Sequence, residues 1–293
     1  MSEVDQSGQH VVRPAGPDDL AAIIAIARAT GQEEAAGDEY PDYISHVMAR
    51  GRFVVAERDG AVTGFGAAVR LGEGPRAVCM LTDLYVDPAA HGGGAGRALL
   101  RDLFHGEPRR MTFSSLHSNA LPLYTSVGMD PWWPLLYLTG DLRLLTIPDG
   151  WSVAAAAPDQ VAALEREWTG ADRTADHRFW AAGPSGSGVI ARLGGRPLAA
   201  GTTGAAGQPG TGLAIRHLAV DSAADGRAQD SVIAVLGSLE PGSGQARVCL
   251  PGPHPAVRPL LRAGWRITGF DLHMSSEPGL LDPHGPVPSP DLA

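Results

Sequence analysis

The sequence contains no lysine: all 23 basic side chains are arginine. That rules out a P-loop, whose Gly-Lys-Ser/Thr ending depends on the lysine amine. There is no basic stripe either. Acidic residues outnumber basic ones 32 to 23, for a net charge of −9, which argues against nucleic acid as the main partner and suits a cationic or amine-bearing small molecule better. Cysteine is almost missing. Cys79 and Cys249 both sit in apolar strand-like runs, so buried free thiols are expected, with no disulfide framework, zinc site or other metal. No apolar run nears the roughly 18 residues that would span a membrane. The start, MSEVDQSGQH, is polar without a signal-peptide pattern, and a cytoplasmic location is expected. A length of 293 residues predicts two domains, each able to bury a core.

Glycine, by contrast, is plentiful, and one dense run is Gly92-Gly93-Gly94-Ala95-Gly96. A strand-like segment, 81–86, precedes it and ends at Asp87-Pro88; residues 97–104 follow with helical spacing. Strand, glycine loop and helix together make an anion cradle. Successive amides can turn toward one ligand, and the helix N-terminus adds partial positive charge. Two familiar glycine motifs do not fit. A dinucleotide fingerprint needs glycine where Arg97 stands, and His91-Gly92-Gly93-Gly94 has no G-x-S-x-G elbow to accompany it as an oxyanion motif.

Along the first half, the patterns predict a strand at 10–13 and a Pro-initiated helix at 20–28. A helix at about 42–49 and a hairpin over 53–69 turning at Asp59-Gly60 come next. The strand into the glycine loop, its helix, a strand at 111–116, a short helix at 119–127 closed by Gly128 and a strand at 132–139 complete the set. A central hairpin flanked by helices predicts a mixed α/β sheet, not a Rossmann unit. From about residue 142 the pattern restarts. Pro158 lies 141 residues after Pro17, His217 lies 134 after Asp83, and Gly264 lies 136 after Gly128. Similar offsets at successive landmarks predict two copies of one fold. Residues 276–293 are Pro-rich and aperiodic, and are expected to run extended along the surface.

The segment Asp83-Leu84-Tyr85-Val86-Asp87-Pro88, followed by His91 to Leu100, resembles the acyl-CoA motif of the GNAT superfamily of N-acyltransferases, with Gly94 and Gly96 in its glycine positions. A second block of that family is matched by Asn119-Ala120, Leu123-Tyr124 and Gly128-Met129. The resemblance is strong over roughly residues 10–140 and degenerate over 150–275. It implies two tandem GNAT-like domains in an α/β chain: a catalytic domain at 1–141, a degenerate copy at 142–275 and a tail at 276–293. The chain departs from the family at His91, where Arg or Gln is usual, and at Met129, where Phe is usual.

The resemblance also assigns roles. Amides of the 92–97 loop (Gly92, Gly93, Gly94, Ala95, Gly96, Arg97), with His91, would hold the pyrophosphate of acetyl-CoA. Strand residues Leu84, Tyr85 and Val86 would meet the acyl arm, with Asn119 close by, and one strand amide would support the developing oxyanion. Asp83 is the expected general base, directly or through a water, and Tyr124 the expected general acid at the thiol. Glu33, Glu34 and His117 are candidates for the acceptor side. In the second copy Gly96 becomes Asp230 and Tyr124 becomes Leu260, so that copy is expected not to bind CoA.

The function expected is transfer of an acyl group, most simply acetyl, from CoA to a small-molecule amine within a ternary complex, by a monomer or homodimer. Other expectations left standing are a peptide or protein amine as acceptor, a non-catalytic acyl-CoA-binding module and a scaffold.

Overall fold

The computed structural model describes residues 10–31, 40–206, 212–223, 226–239 and 244–292. The first half runs β1 (Val11–Pro14), α1 (Leu20–Ala29), α2 (Tyr40–Arg50), β2 (Arg52–Arg58), β3 (Ala61–Leu71), β4 (Val78–Val86), α3 (Ala95–Leu103), β5 (Arg110–Ser114), α4 (Ala120–Thr125) and β6 (Asp130–Asp141). The second half repeats that order with β7 (Trp151–Ala156), α5 (Pro158–Thr169), α6 (Thr174–Ala182), β8 (Ser187–Leu193), β9 (Arg196–Ala205), β10 (Leu213–Val220), α7 (Ala228–Ser238), β11 (Gln245–Pro251), α8 (Val257–Arg262) and β12 (Arg266–Ser275).

All strands join one twelve-stranded sheet in the order β1-β2-β3-β4-β5-β12-β6-β11-β10-β9-β8-β7. The halves exchange their last strands. β12, from the second half, pairs with β5 of the first, and β6 pairs with β11 of the second. The sequence division at 141/142 therefore falls at the end of a strand whose hydrogen bonds lie across it.

Strand alternation sorts the core onto two faces. On one face α1 and α2 cover Phe53, Phe65 and Met80, and Trp180 of α6 joins them. On the other, Leu99, Leu100 and Leu103 of α3 pack with Leu81, Tyr124 and Met129. Each such fully buried leucine contributes roughly 1.5–3 kcal/mol. Where α2 and α6 meet, the His46 and Phe179 rings stack at 4.3 Å. Asp176 of α6 bonds His46 and Arg50 of α2, each at 3.0 Å, and Arg173, the residue just before its own helix, at 3.0 Å. Burial alone would raise the Asp176 pKa, but His46, Arg173 and Arg50 hold it well below the usual carboxylate range. Arg173, Asp176 and His177 are thus buried, and they lock the halves and the second core together.

The tail departs from expectation. Val287, Ser289 and Leu292 are buried, so residues 276–292 are not simply extended along the surface. Pro residues leave few donors to satisfy, which lets such a segment enter a core cleft.

Candidate active site

β4 and β5 are parallel and pair only through Cys79–Leu81 and Arg110–Thr112. Beyond that point they diverge, and a slot opens between them. A bulge in β4, where the register against β3 shifts between Asp83 and Leu81, redirects the strand as it passes the slot. The Asp87 amide bonds the Thr63 carbonyl of β3 at 2.9 Å. Alternation along a strand then turns the N–H and C=O groups of Leu84 and Val86 away from β3, into the slot.

The glycine loop closes one end of this slot. Gly94 is the N-cap of α3 with φ +88°, a left-handed conformation that glycine adopts without penalty. The first intrahelical bond runs from the Ala98 amide to the Gly94 carbonyl at 3.0 Å, so the amides of Ala95, Gly96 and Arg97 head the helix with no carbonyl of their own turn to bond. A Cβ at Gly96 would lie 3.3 Å from Leu123 and 3.6 Å from Val86; glycine lets α3 sit this close to α4 without displacing the Leu123 side chain. Gly92, Gly93, Gly94 and Arg97 are exposed and Ala95 is buried. The loop is a concave row of amides capable of holding a multiply charged anion.

His91 is exposed, and its Nε2 lies 3.0 Å from the Val86 carbonyl oxygen. Its ring meets His117 edge-on, with centroids 6.4 Å apart. His117 Nδ1 in turn accepts from the Asn119 amide at 3.3 Å. His91 of the β4–α3 loop therefore meets His117 and Asn119 of the β5–α4 loop at the slot mouth.

Asp83 lies just past the bulge, 6% exposed, and accepts a 2.8 Å hydrogen bond from the Tyr43 hydroxyl of α2. Burial pushes its pKa up to about 6, against the opposing hydrogen bonds of Tyr43 and Thr82 and with a smaller upward push from the Asp291 charge. That value suits a base working near neutrality. Tyr124 is buried on α4. Burial, then the charges of Asp83 and Asp271, raise its pKa far above the ordinary phenol value, so its hydroxyl keeps its proton at any working pH. Tyr85 is raised likewise by burial and by Asp83. Asp83 and Tyr124 are thus two buried titratable groups beside β4, each with its pKa raised chiefly by burial.

The strand next to β5 comes from the other half of the chain. On β12, Asp271 accepts from the Tyr137 hydroxyl of β6, and His273 stacks on Trp133 at 4.2 Å while its ring nitrogens find no partner among the described residues. Tyr43 and Asp271 went unseen in the sequence: Tyr43 meets Asp83 from 40 positions away, and Asp271 arrives by strand exchange. Glu33 and Glu34 lie outside the described residues.

In the second half, β10 keeps the bulge, between Ile215 and His217, and His217 stands where Asp83 stands in the first. The two oxygens of Glu165 bond His177 Nε2 at 2.6 Å and His217 Nε2 at 2.8 Å. Burial would raise the Glu165 pKa, but His217, His177 and Arg173 hold it low, and burial lowers that of His217. Among the described residues this is the group whose ligand-type atoms are compact enough for a metal, all within 4.8 Å. Each imidazole is already committed to its own oxygen of an ionised carboxylate, which makes the group a hydrogen-bonded clamp.

Residues 49–128 match the acetyltransferase (GNAT) domain model. Among solved structures, a putative acetyltransferase from Pyrococcus horikoshii superposes with a TM-score of 0.71 at 14% identity, covering 100% of this chain and 96% of its own. A glucosamine N-acetyltransferase region of a fungal multi-domain GH3 β-N-acetylglucosaminidase gives 0.67 at 15% identity, covering 94% of this chain and 39% of that one. A tandem GNAT protein from the clavulanic acid biosynthesis pathway gives 0.56 at 13% identity, with 94% and 100% coverage. Among curated proteins none matches the sequence. No helix of the described residues is long and apolar enough to cross a membrane. The chain carries a GNAT acetyltransferase domain in its first half, and as a whole it has the fold of the GNAT acetyltransferases.

Proposed function

We propose that the protein is an acetyl-CoA-dependent N-acetyltransferase acting on the amine of a small molecule, with its single working site in the first half. The observation that carries this reading is the convergence of three features on the β4–β5 slot: the amide row at the α3 N-terminus, Asp83 tuned to about 6, and the buried Tyr124 hydroxyl.

Amides of the 92–97 loop at the head of α3 bind the pyrophosphate, and the backbone groups of Leu84 with the amide of Val86 align the acyl arm, the Val86 carbonyl being held by His91. An amide of that strand supports negative charge on the thioester oxygen as the amine nitrogen bonds to the carbonyl carbon. Asp83 takes the proton the amine must lose, directly or through one water. When the carbon–sulfur bond breaks, Tyr124 gives its proton to the thiolate. One proton is accepted and one donated, so the chain returns to its starting charge once the two sites re-equilibrate. The net negative charge and Asp83 favour a cationic acceptor.

The test is thiol release from acetyl-, propionyl- and succinyl-CoA across a panel of aminosugars, polyamines, amino acids and short peptides. Amine-dependent release with small amines supports the reading. Tight acetyl-CoA binding with no release for any amine would sink the enzymatic part.

A further inference from the structure

The second half still has the slot, and the chain itself fills it. β10 and β11 are parallel and pair only at Leu213–Ala214 and Ala246–Arg247, so they diverge as β4 and β5 do. The Asp221 amide bonds the Leu198 carbonyl at 2.9 Å, as Asp87 bonds Thr63, and the Asp221 carboxylate accepts from the Ala223 amide at 2.9 Å just as Asp87 accepts from Ala89. Leu218, 134 positions after Leu84, therefore turns its N–H and C=O into the gap.

Both groups are taken by Val287 of the tail. The Leu218 amide donates to the Val287 carbonyl at 3.0 Å, and the Val287 amide donates back at 2.9 Å. Val287 is 0% exposed. The segment is held on either side of this pair: His254 Nε2 lies 3.2 Å from the Gly285 carbonyl, and Arg173 donates to the Leu292 carbonyl at 2.9 Å. Leu292 then packs in the core that includes Tyr40 and Trp180, with Tyr43 and Tyr85 against it. Those last two flank Asp83, so the tail runs from the slot of the second half to the acceptor side of the first.

We propose that the tail, residues 285–292, is an internal ligand of the second half, seated by the Leu218–Val287 backbone pair in the slot that has lost its anion cradle, and that this seating holds Asp291 beside the working site to favour cationic acceptors. The second half thereby acts as the clamp for a specificity element. Asp291 is a positioning charge and not a catalytic residue. The part concerning Asp291 rests on the proposed acetyltransferase reading; the seating of the tail does not.

The groups facing Asp83 are Tyr43 of α2, Thr82 and Tyr85 of its own strand, Tyr124 of α4 and Asp291 of the tail. Of these, Asp291 is the other carboxyl group, and it raises the Asp83 pKa.

The experiment uses the full chain. Amide exchange followed by mass spectrometry on the segments around Leu218 and Val287 should show both protected in the wild type; exchange as fast as in a free peptide overturns the seating. Val287→Pro removes one donor of the pair and should speed exchange at Leu218. Asp291→Asn leaves the pair in place. It should move the acid limb of thiol release to lower pH by about half a unit. It should also reduce the preference for 1,4-diaminobutane over n-butylamine about threefold, with acetyl-CoA affinity unchanged. An acid limb and amine preference both equal to wild type overturn the role of Asp291. Failure of the wild type to bind acetyl-CoA in a thermal-shift titration would instead overturn the acetyltransferase reading, while the exchange measurement still decides the seating.

Discussion

Asp83 carries two opposing demands, because the burial that makes it a usable base also makes its ionisation costly. Its pKa is about 6 in the folded chain against an ordinary 3.8. With the folded value above the unfolded one, the favourable contribution is present below pH 3.8 and is lost as pH rises through about 6. Asp83→Asn should therefore gain stability over wild type as pH rises across that window, up to about 3 kcal/mol by pH 8, while losing most amine-dependent turnover; denaturant melts at pH 4 and pH 8 check the first half. Tyr43 acts in the other direction. Its hydroxyl favours the charged carboxylate, so Tyr43→Phe should raise the Asp83 pKa and shift the acid limb of kcat/KM upward. A limb unmoved in that variant would mean another group is the base. For Tyr124, the pKa lies too high for it to serve as a base, so only proton donation is open to it. Tyr124→Phe should lower kcat about a hundredfold with little change in acetyl-CoA affinity, read by stopped turnover and by titration.

At the scale of elements, the cradle depends on a helix that begins in a left-handed residue. A Cβ at Gly94 meets no atom within 4 Å, so Gly94→Asp makes no clash at its Cβ. It places a strained residue at φ +88°, costing about 1–2 kcal/mol, and aims a carboxylate at the row of amides. Acetyl-CoA affinity should fall at least about tenfold, and retention of full affinity would move the anion site elsewhere. This element was legible from residues alone, because strand period, glycine density and helix period are all local signals. So were α1, the Asp59-Gly60 hairpin and the short α4 carrying Tyr124. Tyr43 was not legible: nothing on α2 distinguishes a tyrosine that meets a carboxylate across the core from one that packs. The tail misled for a related reason. Proline content and absence of periodicity read as a surface strand, whereas its burial comes from a slot that the second copy opened and no longer fills with a ligand. Strand exchange is invisible in the same way, since β6 and β12 have patterns compatible with either neighbour.

For the whole molecule, that exchange decides whether the halves are separate stability units. Two ordinary domains joined by a linker would unfold in two steps. Here the centre of the sheet is woven from both: β12 lies between β5 and β6, and β6 lies between β12 and β11. Removing either half strips ladder partners from a central strand of the other and leaves N–H and C=O groups of a long apolar edge unpaired. Asp176 would lose His46 and Arg50 in the same event, leaving a buried carboxylate with fewer partners, a loss of about 3–5 kcal/mol. Leu292 would also lose the first-half core it packs in. These penalties fall together, so the folded halves are strongly coupled. Scanning calorimetry should give one transition whose calorimetric and van't Hoff enthalpies agree, and a fragment of residues 1–141 expressed alone should aggregate or remain unfolded. Two resolved transitions, or a monomeric fragment with native-like circular dichroism, would show that β6 can find its place without the second half. In that case β12, with Asp271 and His273, could not be a fixed neighbour of β5.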